Sequence, residues 1–248
     1  LLALPATTEN IVRYATLALE APEGLTTIAM IMPAPPAPFI APENVGKLVL
    51  GIFACYTGEL AAGPAVMAPF RALAEPIADV VMPIPYPVLY EMTAEAAARR
   101  REKVRSGFFD RISPEMVEKL LADAANMPGP MGIFQVRPLG GQMARTARQA
   151  TAFSHRDAKY LLAVIDVWDE AQHDAAHHSW VDVAWASLAP YHEGVYSNFL
   201  GDEGEQRLRT AYAEETYRRL AELKHRYDPQ NVFHRNQNIA PRRVSAAA

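Results

Sequence analysis

The apolar positions change period several times along the chain. From Thr8 to Ala21, Ile11, Tyr14, Ala15, Leu17 and Ala18 recur at helical spacing behind an N-cap candidate, Thr7 or Thr8, and Pro22-Glu23-Gly24 ends the run. Leu25 to Met32 is apolar and β-branched and predicts a strand; the proline-rich Pro33 to Pro42 cannot join a central ladder and predicts an irregular connection. Lys47 to Tyr56 is nearly continuously apolar, a strand covered on both faces. A helix from Glu59 to Ala74 and a strand from Ile77 to Ile84 follow, then a stiff Pro83 to Pro87 and a charged helix, Ala94 to Arg101. Ser106 to Asp110 predicts a short strand, and Ser113-Pro114-Glu115 opens a helix with an N-cap and a proline at the first helical position.

The rhythm then repeats. Gly132 to Leu139 predicts a strand, Gly140-Gly141 a tight turn, and Gln142 to Arg145 an antiparallel return. Tyr160 to Trp168 is another apolar strand, followed by a helix from Glu170 to Leu188, a strand from Gly194 to Phe199 and a long helix from Glu203 to Arg226. There is no sequence repeat, yet two strand–helix–strand wings predict an α+β fold. It is one antiparallel sheet of about six or seven strands with helices packed on a single face.

Composition narrows the class. With 248 residues, 50% hydrophobic and 21% charged, the chain has the make-up of a globular fold rather than a disordered one. A net charge of −4 gives no electrostatic reason for a nucleic-acid partner, and Arg218, Arg219, Lys224 and Arg226 form one solvated helix face. The single cysteine, Cys55, excludes an intrachain disulfide and sits in an apolar run as an inert thiol, which fits a cytoplasmic setting. No apolar run reaches the roughly 18 to 20 residues that cross a bilayer, so no membrane partner is expected. The opening Leu1-Leu2-Ala3-Leu4-Pro5 lacks an initiating methionine, as at a processing or domain boundary, and is too short and uncharged for a signal peptide.

Few residues cluster as chemistry demands. Asp169, His173 and His177, with His178 adjacent, have metal-ligand spacing on one helix, but a polar surface face explains them equally and no HExxH motif is present; no metal is expected. Nucleophile elbow, phosphate-binding loop and dinucleotide fingerprint are all absent. Three other stretches stand out. On the strand expected from Gly194 to Phe199, Tyr196 and Asn198 share a face, either as a polar wall or as a hydrogen-bonded pair, and Phe199 points the other way. Phe153-Ser154-His155-Arg156 enters the strand ending in Trp168. In the terminal Tyr227-Asp228-Pro229 the proline stops the last helix, and Val232, Phe233 and Ile239 give the following coil apolar groups to bury.

Together these stretches resemble the berberine-bridge-enzyme-like FAD-linked oxidases of the vanillyl-alcohol-oxidase superfamily. The residues that carry the resemblance are Gly140, Gly141 and Met143; Phe153, His155, Arg156 and Trp168; Tyr196, Asn198 and Phe199; and Tyr227, Asp228, Pro229, Asn231, Phe233, Gln237, Ile239 and Pro241. It covers nearly the whole chain and falls on the family's substrate-binding and C-terminal portion. By that resemblance, residues 1–226 are a substrate-binding α+β domain, and residues 227–248 a coil that packs back on a flavin-binding domain absent from this chain. Tyr196 and Asn198 lie against FAD, and Phe199 and Ala163 line the substrate pocket.

The resemblance implies hydride transfer from an alcohol or amine carbon of a small-molecule substrate to flavin. Phe199 and Ala163 stand where members often carry a tyrosine base and a Gln or Glu, which leaves Tyr196 as the catalytic candidate; it needs a cationic neighbour or hydrogen-bond donors to act as a base at neutral pH. FAD is not expected to be held by this chain alone, and the uncovered surface suits a flavin-binding partner or a homo-oligomer. The alternative is a stand-alone, non-enzymatic domain that oligomerises or binds a small ligand.

Overall fold

A computed structural model describes residues 1–92, 98–201, 203–235 and 237–241. Its strands are β1 (Leu2–Pro5), β2 (Leu25–Pro33), β3 (Leu48–Tyr56), β4 (Ala78–Asp79), β5 (Arg101–Phe109), β6 (Ile133–Pro138) and β7 (Tyr160–Trp168). They form one sheet in the order β4-β1-β3-β2-β6-β7-β5, and every adjacent pair is antiparallel. The helices are α1 (Thr8–Glu20), α2 (Gly63–Arg71), α3 (Val88–Met92), α4 (Pro114–Ala124), α5 (Gly141–Arg145), α6 (Asp174–Ser187), α7 (Gly204–Arg209) and α8 (Glu214–Tyr227). The expected α+β sheet with helices on one face is what the chain forms.

The two wings are related in space. The first runs β1-α1-β2-β3-α2-β4 and the second β5-α4-β6-β7-α6. Their strands pair in the same internal order outward from the β2–β6 contact at the centre. After α6 the chain reaches the outer edge of β5, where Glu193 and Phe108 exchange both backbone hydrogen bonds at 2.9 Å as an isolated bridge. That bridge occupies the place β4 holds in the first wing. It is all that forms of the strand expected from Gly194 to Phe199, because Gly194 turns the backbone with φ +56° where a Cβ would meet His155 at 2.3 Å. Ser197–Phe199 then forms a single 3-10 turn.

Alternation along the strands sorts the side chains. Leu2, Leu4, Ala29, Ile31, Leu50, Ile52, Phe134, Val136, Leu162 and Val164 are buried against Ile11, Tyr14 and Ala15 of α1, Met67 and Phe70 of α2, Met116, Val117 and Leu120 of α4, and Val181 and Ala184 of α6. Burying side chains of this size contributes about 1.5–3 kcal/mol each and fixes which face the helices cover. Thr7 and Ser113 cap their helices as expected, accepting from Asn10 N and Met116 N. Across the core, the hydroxyl of Tyr14 bonds that of Thr27 at 2.9 Å, and Tyr160 donates to the Ala15 carbonyl at 3.0 Å.

Several boundaries differ from the sequence reading. Leu2–Pro5, unassigned from its pattern, is a buried strand between β3 and β4. The strand expected from Ile77 to Ile84 shrinks to two residues, and the long last helix breaks between α7 and α8. Gln142 to Arg145 does not return as a strand but belongs to α5, since Gly141, at φ +55°, starts a helical turn closed by Ala144 N on the Gly140 carbonyl. The helix expected over Ala94 to Arg101 falls largely outside the described residues, and Arg101 already begins β5. Val232 and Phe233, expected to bury themselves, are 62% and 80% exposed. No helix among the described residues is long and apolar enough to cross a membrane.

Candidate functional site

The face of the sheet away from the helices carries the candidate chemistry. Residues directly opposite in an antiparallel pair share a face. Ser106 of β5, Ala163 of β7 and Gln135 of β6 therefore form one row across three strands, and Phe108, Leu161 and Arg137 form the next. Ala163 is 2% exposed at the centre of the first row. The segment from Val195 to Leu200 lies across this part of the face: Phe199 receives the Arg137 guanidinium 5.0 Å from its ring centroid, and Val195 and Leu200 bury themselves with Leu208 and Ala211.

Tyr196 and Asn198 meet, although no strand positions them. The 3-10 turn brings the Asn198 amide nitrogen to donate to the Tyr196 hydroxyl at 2.8 Å. The Tyr196 ring packs edge-on against Phe199 at 5.4 Å and Phe153 at 6.2 Å, and Phe153 in turn packs on Phe108 at 5.8 Å. Phe199 thus stands on the same aromatic wall as Tyr196 rather than on an opposite face. His155 stacks on Phe108 at 4.3 Å and donates from Nε2 to the Thr210 carbonyl at 3.1 Å; burial pulls its pKa down, so it backs the wall as a neutral ring. Arg156 ties down the loop behind, donating to the Met143 carbonyl at 2.8 Å and the Thr151 hydroxyl at 2.6 Å.

Two polar residues of this face were not singled out from sequence. Gln135 and Arg137 alternate with Phe134 and Val136 along β6, and that period-two pattern was the available signal. Arg137 Nε donates to Gln135 Oε1 at 2.7 Å. Burial lowers the Arg137 pKa, and the neighbouring Tyr196 opposes that shift. Gln135 thus places an amide directly across the ladder from Ala163, and Tyr196 has both a cation, Arg137, and a donor, Asn198, beside it.

A cavity of about 910 Å³ adjoins this wall, lined by Ser197, Asn198, Leu200, Glu205, Gln237 and Asn238 among others. Gln237 anchors its far side by donating to the Leu200 carbonyl. The coil leading there starts at Asp228, whose carboxylate accepts from Val232 N at 2.8 Å and Phe233 N at 3.0 Å; its hydrogen bond from Lys224 holds its pKa below the usual range. Asn238 Oδ1 is buried without a partner among the described residues. A volume of this size, with amides on both walls and one of them unsatisfied, fits the edge of a planar polar cofactor such as a flavin.

A second cavity, about 610 Å³, lies at the outer edge of β5 between Phe108, Arg111, Arg148, Tyr191 and His192. The His192 ring packs tilted against Trp185 at 4.2 Å with a buried Nδ1 that has no partner among the described residues, and burial with the charge of Arg207 depresses its pKa from 6.5 to about 4. A depressed histidine contributes stability that is present above pH 6.5 and lost as pH falls through about 4. Urea unfolding at a series of pH values should therefore show a loss over that window that is smaller in His192→Phe; equal pH profiles would refute it.

Asp169, His173 and His177 do not converge. Asp169 lies 3.4 Å from Arg100, and His177 turns inward to Asp166 at 2.7 Å. Among the described residues no group of three His, Cys, Asp or Glu is placed to hold a metal ion.

Residues 195–240, which hold Tyr196, Asn198 and the terminal coil, match the berberine and berberine-like family model. An FAD-linked oxidoreductase of Dictyostelium discoideum is 25% identical over 205 residues, covering 82% of this chain and 44% of that protein. An uncharacterized FAD-linked oxidoreductase of Bacillus subtilis, YgaK, is 35% identical over 107 residues, 43% of this chain and 24% of that protein. The fold is that of berberine bridge enzyme from Eschscholzia californica, with TM-score 0.73 at 16% identity over 97% of this chain and 54% of that one. The resemblance read from the sequence holds across most of the chain. The chain spans about half the length or less of these relatives.

Proposed function

We propose that this chain, with its berberine-bridge-enzyme-like sheet and terminal coil, is the substrate-binding and C-terminal portion of an FAD-linked oxidoreductase acting on an alcohol or amine carbon. The observation that carries the reading is the hydrogen-bonded Tyr196–Asn198 pair, which stands between an aromatic-walled sheet face and a cavity of flavin-compatible volume. FAD, when bound, supplies the acceptor for a hydride. The chain's own residues do the rest. Asn198 and Asn238 offer hydrogen bonds to the cofactor, Tyr196 takes the proton from the substrate's hydroxyl or amine, and Phe199 with the small Ala163 forms an apolar floor that excludes water. Residues 1–226 supply that pocket. The coil from residue 227 presents Val232 and Phe233 to a flavin-binding partner, since exposed apolar side chains on a docked coil suit an interface.

Asn198→Ala in the FAD-loaded protein tests the placement. Loss of one hydrogen bond, about 1.4 kcal/mol, should weaken FAD about tenfold and shift its visible absorption. Unchanged affinity and spectrum would remove Asn198 from the site, and a protein that takes up no FAD even with a flavin-binding partner would sink the reading.

A further inference from the structure

Most of the buried and half-buried arginines described in this fold have a committed partner. Arg71, Arg105 and Arg207 pair with the carboxylates of Asp79, Asp182 and Glu203, and Arg156 spends its donors on the Met143 carbonyl and the Thr151 hydroxyl. Arg137 has no carboxylate partner among the described residues, although it stands on the enclosed face of the sheet beside Tyr196. Its Nε is committed to Gln135 Oε1 at 2.7 Å and its guanidinium lies over the Phe199 ring. These two contacts hold the plane of the group and leave the Nη1–Nη2 end free of any protein acceptor among the described residues. That end presents parallel N–H donors, the geometry that receives both oxygens of one carboxylate. The Gln135 amide nitrogen, also without a described acceptor, lies alongside. A half-buried guanidinium without a counter-ion carries part of the cost of desolvating a charge, and a bound anion offsets that cost.

We propose that Arg137, held by Gln135 and Phe199, is the anion-recognition residue of the site, and that the substrate carries a carboxylate. The inference rests on the reading that this face binds substrate, and it adds the substrate's chemical class. The carboxylate docks end-on at Arg137, which sets the adjoining part of the molecule beside the Tyr196 hydroxyl. Phe199, in the place of a tyrosine, offers no competing phenol and orients the cation instead.

Benzoate and benzamide present the same ring with and without charge. Titrated by calorimetry into the protein at low salt, benzoate should bind at least about tenfold more tightly than benzamide. Arg137→Gln should abolish the preference, and Arg137→Lys should keep part of it, because the charge remains while the fork is lost. Equal binding of the two probes, or a preference that survives Arg137→Gln in a variant with an unchanged melting curve, overturns the proposal. Should Arg137→Gln fail to fold, the probe ratio in the unsubstituted protein and in Arg137→Lys decides. Binding needs no turnover, so equal binding of the two probes by an unsubstituted protein whose flavin is reduced normally sinks this inference alone. A charge preference without any flavin chemistry sinks the oxidoreductase reading alone.

Discussion

Tyr196→Phe should slow reduction of the bound flavin by a good substrate by ~10²-fold or more, the usual contribution of a positioned proton acceptor. The substitution removes the hydroxyl and keeps the ring, so the contacts to Phe153 and Phe199 persist and the loss reports on the oxygen alone. Asn198 donates to the Tyr196 hydroxyl at 2.8 Å and the Arg137 guanidinium stands nearby over the Phe199 ring, so the oxygen is positioned by its neighbours. Stopped-flow reduction across pH gives a second readout, because loss of the base should also remove a limb of the pH–rate profile. A slowing of less than about tenfold, ~1.4 kcal/mol of barrier, would leave Tyr196 a packing residue.

Asp166→Ala should destabilise the fold by about 3–5 kcal/mol, the cost of leaving a buried charge or hydrogen-bonding group without its partner. Asp166 is wholly buried on the helix-covered face of β7, where it accepts from Val167 N at 2.9 Å and pairs with His177 of α6 at 2.7 Å. Burial pushes its carboxyl pKa up, and the His177 hydrogen bond works against that rise. The His177 ring also stacks on Trp168 at 4.7 Å, and the Trp168 indole donates to Asp174, which Arg101 holds in two hydrogen bonds of 2.6 Å. The pair thus fastens α6 to the strand that carries Ala163. For a chain of this length the melting temperature should fall by roughly 10 °C. Replacing both partners with apolar residues of similar size, Asp166→Leu with His177→Phe, should restore most of the loss. A single-variant change below about 1 kcal/mol by urea unfolding would show that the pair carries no such weight.

The sequence alone determined the class of fold and its layers. The apolar runs of β2, β3, β6 and β7, helical spacing in α1, the Thr7 and Ser113 caps and the breaks at Pro22 and Pro229 are local signals, written in side chains that act within a few residues of themselves. The motifs from Gly140 to Pro241 also named the resemblance, since they are runs of adjacent residues. Strand order was not legible, because nothing local says that β1 pairs with both β3 and β4. The Gly194–Phe199 segment misled for the same reason: its alternation suits a strand, but a positive-φ glycine and the packing of His155 allow only the Glu193 bridge. Only the tertiary structure decided the site. Which groups face Tyr196 depends on the register that sets Gln135 against Ala163 and Arg137 against Leu161, and on the turn that folds Asn198 back onto the phenol. The register joins residues 24 to 28 positions apart through ladder hydrogen bonds whose pairing is fixed by burial of the opposite face, and a one-residue slip would have turned these side chains into the core.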